Sequence, residues 1–181
     1  LSDRWGDDPV RYADAVVVTR KPGTPEQMFF SDASTRFGAS EWGGTFEASV
    51  LDILEQSVTG RVLVFDSAQG RTERVVHGLS FANGVALLED EQTLFVAETG
   101  QYRIWAIPAS ARDLDLSRGP TGGARVVFDN LPGYPDNLMR GRNGRIWAGL
   151  VKPRNPVIDR MAHLPLLREI TLRLPRSTWP I

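Results

Sequence analysis

One residue pattern occurs three times along the chain, and it restricts the fold more than any other feature. Each copy has an aromatic residue, a small residue and then Asp or Asn at the start of a β-rich run, followed by a tight turn and a second β-rich run. The runs are residues 12–18 with 28–32, 81–87 with 94–98, and 134–139 with 146–150. Short apolar runs bounded by turn residues predict β-hairpins, so we expect an all-β chain.

A second hairpin follows each of the first two copies. It pairs residues 61–66 with 72–76, and then residues 102–107 with 124–128. The resulting four-stranded units recur after 69 residues, from Asp14 to Asn83, and after 53 residues, from Asn83 to Asp136. Four-stranded repeats of roughly 40–50 residues are typical of β-propeller blades. A sandwich of similar hairpins is the alternative, but a sandwich rarely repeats one polar residue at the same phase.

The number of strands limits how much of a propeller this chain can build. About ten predicted strands make two and a half to three blades, whereas closed propellers have about four to eight. We therefore predict one incomplete β-propeller domain over residues 1–181, with units at 12–76, 77–129 and 130–181. The chain starts without Met and stops after an apolar segment, so we expect an internal fragment; a processed mature domain is the alternative.

Three polar side chains are predicted to meet at one rim of this partial propeller. Asp14, Asn83 and Asp136 each start the first strand of a unit, and first strands of successive blades line a common channel. Three oxygen donors, two of them carboxylates, suit a divalent cation such as Ca²⁺, with Mg²⁺ and Mn²⁺ as further candidates. The alternative is that these side chains only satisfy nearby turn backbone.

Two further acids end the second strands at the same rim. Asp32 and Glu98 are candidate proton acceptors for a reaction there, and each could instead pair with a neighbouring arginine. The run Gly78–Ala82 resembles a nucleophile elbow, but that motif requires a turn from strand to helix. Because a strand is predicted to follow, we place Ser80 in a loop.

Two insertions, residues 33–60 and 151–181, leave this rim and carry apolar residues at helical spacing. We expect them to cover the mouth of the channel as lids; packing as core helices over the propeller edge is the alternative. The apolar positions are Phe46, Val50, Ile53, Leu54 and Val58 in the first insertion, and Val157, Ile158, Met161, Leu164, Leu167 and Ile170 in the second, which Pro165 interrupts.

The charge balance bears on the partners. The chain has 21 Lys and Arg against 22 Asp and Glu, which argues against nucleic acid as a partner. Residues 152–181 nevertheless carry six basic and two acidic side chains, a net charge of +4. A basic amphipathic segment can contact an anionic membrane surface, and a solvated face is the alternative. No apolar run approaches the 18 residues that a membrane-spanning helix needs.

Four stretches resemble the strictosidine synthase-like family, in particular its branch of adipocyte plasma membrane-associated proteins and bacterial relatives. They are residues 30–34, 78–87, 94–99 and 131–137. The resemblance implies a six-bladed propeller that is more distantly related to gluconolactonases and paraoxonases. It also implies that Asn83 and Asp136 match metal-binding residues of those relatives, with Asp14 at the place of a further Asn. Their Glu ligand would lie before Leu1, and the catalytic Glu of plant strictosidine synthase would lie beyond Ile181.

The resemblance favours a cation-dependent hydrolase that acts on ester or lactone bonds of a small-molecule substrate, with Asp14, Asn83 and Asp136 as metal ligands. Two alternatives stay open at this point. One is condensation of an amine with an aldehyde, the reaction of strictosidine synthase itself. The other is a non-catalytic binding propeller that contacts a membrane through residues 152–181.

Overall fold

The computed structural model describes residues 2–180, so the two ends of the predicted domain, residues 1 and 181, lie outside it. Thirteen strands and three α-helices form within this range. The strands are β1 (Arg4–Trp5), β2 (Asp8–Pro9), β3 (Ala13–Val18), β4 (Gln27–Asp32), β5 (Gly60–Asp66), β6 (Arg71–Leu79), β7 (Ala82–Leu87), β8 (Thr93–Glu98), β9 (Arg103–Pro108), β10 (Leu114–Asp115), β11 (Arg125–Phe128), β12 (Gly133–Arg140) and β13 (Ile146–Pro153). The helices are α1 (Thr45–Glu55), α2 (Pro156–Met161) and α3 (Pro165–Arg173).

The strands form two four-stranded blades and one hairpin of a third. In the first blade β3, β4, β5 and β6 follow one another as antiparallel neighbours, and in the second blade β7, β8, β9 and β11 do the same. The third blade consists of the pair β12–β13. The predicted all-β fold, a partial β-propeller with about two and a half blades, is confirmed.

One strand has a position that the repeat pattern did not predict. The long loop between β9 and β11 contains β10, which adds to the outer edge of the first blade in parallel to β6, with Leu114 opposite Val76. The second blade therefore reaches across to the first with part of its own loop. This crossing supports the packing of the two blades at their outer edges.

The core lies between the first two blades. Phe29 and Val64 of the first blade and Val96 and Trp105 of the second belong to one cluster of buried apolar side chains. Alternate residues of a strand point to the same face, so one face of each blade supplies this cluster. Burying a side chain of such a size contributes roughly 1.5–3 kcal/mol. This core fixes β7 between its neighbours and so fixes the rim where the candidate site lies.

The helical insertions predicted on one rim are confirmed. The first contains α1, which ends at Glu55 because Gln56 adopts a left-handed conformation (φ 57°), so Val58 lies beyond the helix. Pro165 starts α3 and separates it from α2, as expected of a residue that has no amide hydrogen to donate. Because β13 continues to Pro153, the second insertion starts later than residue 151.

The two insertions pack on each other. The guanidinium Nη1 of Arg168 in α3 donates to the backbone oxygen of Glu55 in α1 at 2.8 Å. In addition, Leu172 and Trp179 pack against the apolar cluster that contains Ala48 and Leu51 of α1. Within residues 2–180, none of the helices has both the length and the apolar character that crossing a bilayer requires.

Candidate functional site

The inner strand of each blade, namely β3, β7 and β12, has the same irregularity in its pairing with the next strand. In β3 the register steps from Ala13 opposite Asp32 to Val16 opposite Phe30, so two residues of β3 face one residue of β4. This is a β-bulge, a local insertion that bends a strand and redirects a side chain, and bulges are common beside active sites. The bulged pairs are Asp14–Ala15 in β3, Asn83–Gly84 in β7 and Asp136–Asn137 in β12. Each predicted metal ligand is thus the first residue of a bulge.

The bulges of β7 and β12 lie directly against each other. Gly84 packs so closely on β12 that a Cβ atom at this position would lie 2.4 Å from both the backbone oxygen of Asp136 and the amide nitrogen of Leu138. On its other side β7 contacts β3. Asn83 therefore stands between the strand that carries Asp14 and the strand that carries Asp136.

The pKa of Asp14 responds to its surroundings at this rim. Loss of hydration, and secondly the negative charge of Asp136, raise the pKa of Asp14 to about 6. A carboxyl group beside a like charge resists ionisation, because each negative charge disfavours the other. A nearby positive charge would oppose both effects and favour the ionised form of Asp14.

Asn83 contributes an oxygen that lacks a partner. Its side chain is 6% exposed, and its Oδ1 atom accepts no hydrogen bond from any residue in the described part of the chain. An unpaired buried acceptor costs on the order of 1–3 kcal/mol, so native structures usually provide such an atom with a hydrogen bond, a water or an ion. Within residues 2–180, groups of three or more His, Asp or Glu suited to a metal do not occur. A cation here would therefore use two carboxylates and one amide oxygen, a donor set that fits Ca²⁺.

Tyr12 connects this rim to α1. Its hydroxyl donates to the backbone oxygen of Thr45, the first residue of α1, at 2.8 Å, and its ring meets Phe81 edge to face at 5.1 Å. Burial, and after it the charge of Asp14, raise the pKa of Tyr12 to about 12. The hydroxyl therefore stays protonated and holds the start of α1 beside the inner strands.

Asp32 is fully buried, and both of its oxygens have partners. Its Oδ1 atom accepts the backbone amides of Tyr12 at 2.8 Å and Arg11 at 3.2 Å, and its Oδ2 atom accepts Arg61 Nε at 2.9 Å. Burial raises the pKa of Asp32 despite these hydrogen bonds. The structure thus places Asp32 in the ion pair with arginine that the sequence left open, and its role as a proton acceptor stays a prediction.

Glu98 has the same environment in the second blade. Its Oε1 atom accepts the amide of Ser80 at 2.9 Å, and its Oε2 atom accepts Arg103 Nε at 2.5 Å and Trp105 Nε1 at 2.6 Å. Ser80 itself lies before β7, in the loop where the sequence predicted it. A proton-accepting role for Glu98 also stays a prediction.

The sequence did not predict the cavity on this rim. It has a volume of about 410 Å³ and lies between α1, the start of β12, the end of β13 and the start of α2. Tyr134, two residues before Asp136 in β12, lines it together with Phe46 of α1 and Lys152 of β13. The helical spacing of α1 marked its apolar wall, but no local pattern could show that β13 closes the opposite side.

These observations define the class of protein. It has a propeller-type fold, with an oxygen-rich cluster where the inner strands β3, β7 and β12 begin. The family model described as Strictosidine synthase matches residues 17–107, which is half of the chain, and the chain belongs to the strictosidine synthase family. The matched residues include Asn83, Asp32 and Glu98, whereas Asp14 and Asp136 lie outside them.

Two curated relatives show how much of a longer protein this chain represents. Protein STRICTOSIDINE SYNTHASE-LIKE 10 of Arabidopsis thaliana is 33% identical over 83% of this chain and 36% of its own length. The adipocyte plasma membrane-associated protein of Salmo salar is 31% identical over 82% of this chain and 33% of its own length. The chain spans about a third of the length of these relatives. A luciferin-regenerating enzyme of known structure is 18% identical, with a TM-score of 0.45 over 74% of this chain and 38% of its own.

Proposed function

We propose that the chain supplies the cation-binding rim of a hydrolase that acts on ester or lactone bonds. Asp14, Asn83 and Asp136 would hold the cation, for which Ca²⁺ is the best fit to the oxygen donors. The observation that carries the proposal is the buried, unpaired Oδ1 atom of Asn83 between two strands that each place a carboxylate at an identical bulge. When bound, such a cation polarises a carbonyl group and orients water.

The residues of this chain have distinct tasks in the proposed site. Asp14 and Asp136 supply the negative charge, and the close contact of Gly84 with β12 keeps Asn83 and Asp136 at a fixed separation. Tyr12 holds the start of α1 at the rim through its hydrogen bond to Thr45. The substrate is a small molecule with an ester or lactone carbonyl, which would enter between the lids.

Calorimetric titration of the chain with Ca²⁺ tests the metal centre. We expect binding by the unchanged chain and an affinity loss of tenfold or more in Asp136→Ala, because one of two charged ligands is removed. Glu89→Ala is the matched control, since Glu89 is an exposed carboxylate in the turn between β7 and β8. Near-ultraviolet circular dichroism shows whether each variant is folded. Equal Ca²⁺ affinity of a folded Asp136→Ala variant and the unchanged chain contradicts the proposal.

The reaction class needs its own test. Hydrolysis of phenyl acetate and of a δ-lactone is measured before and after removal of the cation with a chelator. We expect hydrolysis with the cation bound and its loss on chelation. Hydrolysis that persists without the cation contradicts metal dependence, and cation binding without hydrolysis separates the metal centre from the proposed reaction.

A second function is supported by the surface of α3. Leu166, Leu167 and Ile170 are exposed at helical spacing on α3, with Leu166 71% exposed, and Leu174, which directly follows the helix, is exposed as well. With the net charge of +4 over residues 152–181, this face suits the interface of an anionic membrane. We also propose peripheral membrane contact through α3. We expect the chain to float with vesicles of phosphatidylserine and phosphatidylcholine, and we expect Leu166→Glu to abolish flotation. Failure of the unchanged chain to float with anionic vesicles contradicts membrane contact.

A further inference from the structure

The cavity beneath α1 has the properties of a ligand-binding site rather than of a packing defect. Its volume of about 410 Å³ falls within the range of roughly 300–1,000 Å³ that small-molecule sites occupy. The side chains of Val50, Ile53, Leu54 and Ile158 give it apolar walls. A cavity of this size holds roughly ten to fourteen non-hydrogen atoms, if each takes about the 30 Å³ of a water molecule.

A positively charged group stands at one side of this cavity. Lys152 lines it, and the Nζ atom of Lys152 lies 5.7 Å from the centre of the Phe46 ring. The other basic side chain at the cavity, Arg154, is occupied, because its Nε atom pairs with Asp159 Oδ2 at 2.9 Å. No such carboxylate partner is found for Lys152 among residues 2–180. Its ammonium group is thus the one at this cavity that a ligand can neutralise.

A second, smaller cavity continues past Lys152. It has a volume of about 230 Å³, shares Phe46, Val50 and Lys152 with the first cavity, and adds Arg176, Trp179 and Glu47. Because two of these side chains are basic and one is acidic, the net charge of the lining is positive. An apolar compartment and a smaller compartment with a net positive charge therefore meet at Lys152.

We infer that the paired cavities bind an amphiphilic carboxylate, a molecule with an apolar chain or ring system of about ten carbons and one anionic head group. The apolar part fills the larger cavity, where burial contributes about 0.8 kcal/mol for each methylene. The head group lies at Lys152, where a charge-assisted hydrogen bond to the ammonium group is available. A cationic amine is disfavoured, since of the side chains that line the larger cavity in the described structure none is acidic.

This site does not depend on the metal centre, although both lie on the same rim. Tyr134 lines the larger cavity two residues before Asp136 in β12, so a bound ligand lies close to the inner strands. Apart from Tyr134 of β12, the residues that line the larger cavity belong to α1, β13, α2 and the link between β13 and α2, whereas the candidate metal ligands belong to β3, β7 and β12. Failure of one proposal therefore leaves the other testable.

Isothermal titration of the 181-residue chain with decanoate, decanol and decylamine tests the inference. We expect decanoate to bind more tightly than decanol, and decylamine to bind most weakly. In Lys152→Met the affinity for decanoate falls about tenfold, while the affinity for decanol is unchanged, because methionine keeps the apolar stem and removes the charge. The chain has only one other lysine, Lys21, which is exposed, and Lys21→Met is the matched control.

A second variant tests the cavity itself. Val50→Trp fills the space that both compartments share, so binding of decanoate and decanol is lost together while near-ultraviolet circular dichroism shows a folded chain. All titrations are repeated with Ca²⁺ and with a chelator. Equal affinities for decanoate and decanol, or equal affinity of Lys152→Met and the unchanged chain for decanoate, overturn the inference. Decanoate binding that requires Ca²⁺ and is lost in Asp136→Ala also overturns it, because the carboxylate then binds at the metal centre.

Discussion

Asp32 and Glu98 occupy equivalent positions in the first two blades and make equivalent contacts. Each ends the second strand, accepts a backbone amide from the segment before the inner strand, and faces an arginine at the start of the third strand. The arginines are Arg61 and Arg103. One carboxylate therefore joins three segments of its blade at the rim. In the third blade Leu150 stands opposite Pro135 at this position, so no carboxylate is available for the same contacts.

The pair of Asp32 and Arg61 leads to a stability prediction. Their side chains are 0% and 2% exposed, and removing one partner of a buried pair leaves an uncompensated charge. We expect Arg61→Met to lower the free energy of unfolding by about 3–5 kcal/mol, measured by urea denaturation. Arg4→Met, which breaks an exposed pair with Asp3, is the control and should leave the stability nearly unchanged, because water screens an exposed ion pair. A similar cost for both variants would show that Asp32 does not require its partner.

Asp14 leads to a prediction about pH. Because its pKa is raised to about 6, a proton competes with a cation for this carboxylate as the pH falls below about 6. The affinity for Ca²⁺ is therefore fully present at pH 7 and declines as the pH falls. A single competing proton weakens binding about tenfold between pH 7 and pH 5, which calorimetry at each pH measures. Asp14→Asn should bind more weakly and lose this pH dependence; constant affinity of the unchanged chain over the same range would exclude Asp14 as a ligand.

At the scale of elements, the contact between β7 and β12 holds the candidate site together. A Cβ atom at Gly84 would lie 2.4 Å from two backbone atoms of β12, and backbone cannot move aside as the end of a side chain can. We expect Gly84→Ala to lower the free energy of unfolding by about 1–3 kcal/mol or more, the usual cost of overpacking. It should also weaken Ca²⁺ binding, since Asn83 and Asp136 are forced apart.

Gly149→Ala in β13 is the matched control for this change. Its new Cβ atom would lie 3.8 Å from the backbone oxygen of Asn137, an ordinary contact distance. We expect an effect within about 0.5 kcal/mol and unchanged Ca²⁺ affinity. Urea denaturation and calorimetry on both variants separate the two cases. If Gly84→Ala is as stable as Gly149→Ala, the inner strands are not packed as closely as described.

The sequence predicted the hairpins from short apolar runs bounded by turn residues, which is a local signal. It could not predict β10, a two-residue strand that depends on a contact with β6 in another blade. It predicted the helices of the insertions from their spacing, but not the open cavity between α1 and β13. The repeat in the sequence showed that Asp14, Asn83 and Asp136 occupy the same position in successive units. Pairing of Asp32 and Glu98 with an arginine was an open alternative in the sequence; for Asp32 the particular partner could not be predicted, because Arg61 lies far from it along the chain.

At the scale of the whole molecule, burial falls from the second blade to the third. All six residues of β7 are buried, whereas seven of the eight residues of β13 are exposed. The strand β8 pairs on both sides, with β7 and β9, while β13 pairs with β12 alone. Segments with few buried contacts and an open edge unfold locally at lower cost than core strands. The candidate cation ligands thus come from blades of unequal stability.

Hydrogen–deuterium exchange followed by mass spectrometry measures this difference along the chain. We expect amides of β8 to exchange only on global unfolding, and those of β13 to exchange faster by on the order of a hundredfold. Ca²⁺ should slow exchange in β12 and β3, because a ligand shared by Asp136 and Asp14 stabilises both strands in their bound positions. The effect should vanish in Asp136→Ala. Exchange at one rate in β8 and β13, or protection by Ca²⁺ confined to segments outside the inner strands, would contradict a cation site that joins the third blade to the first.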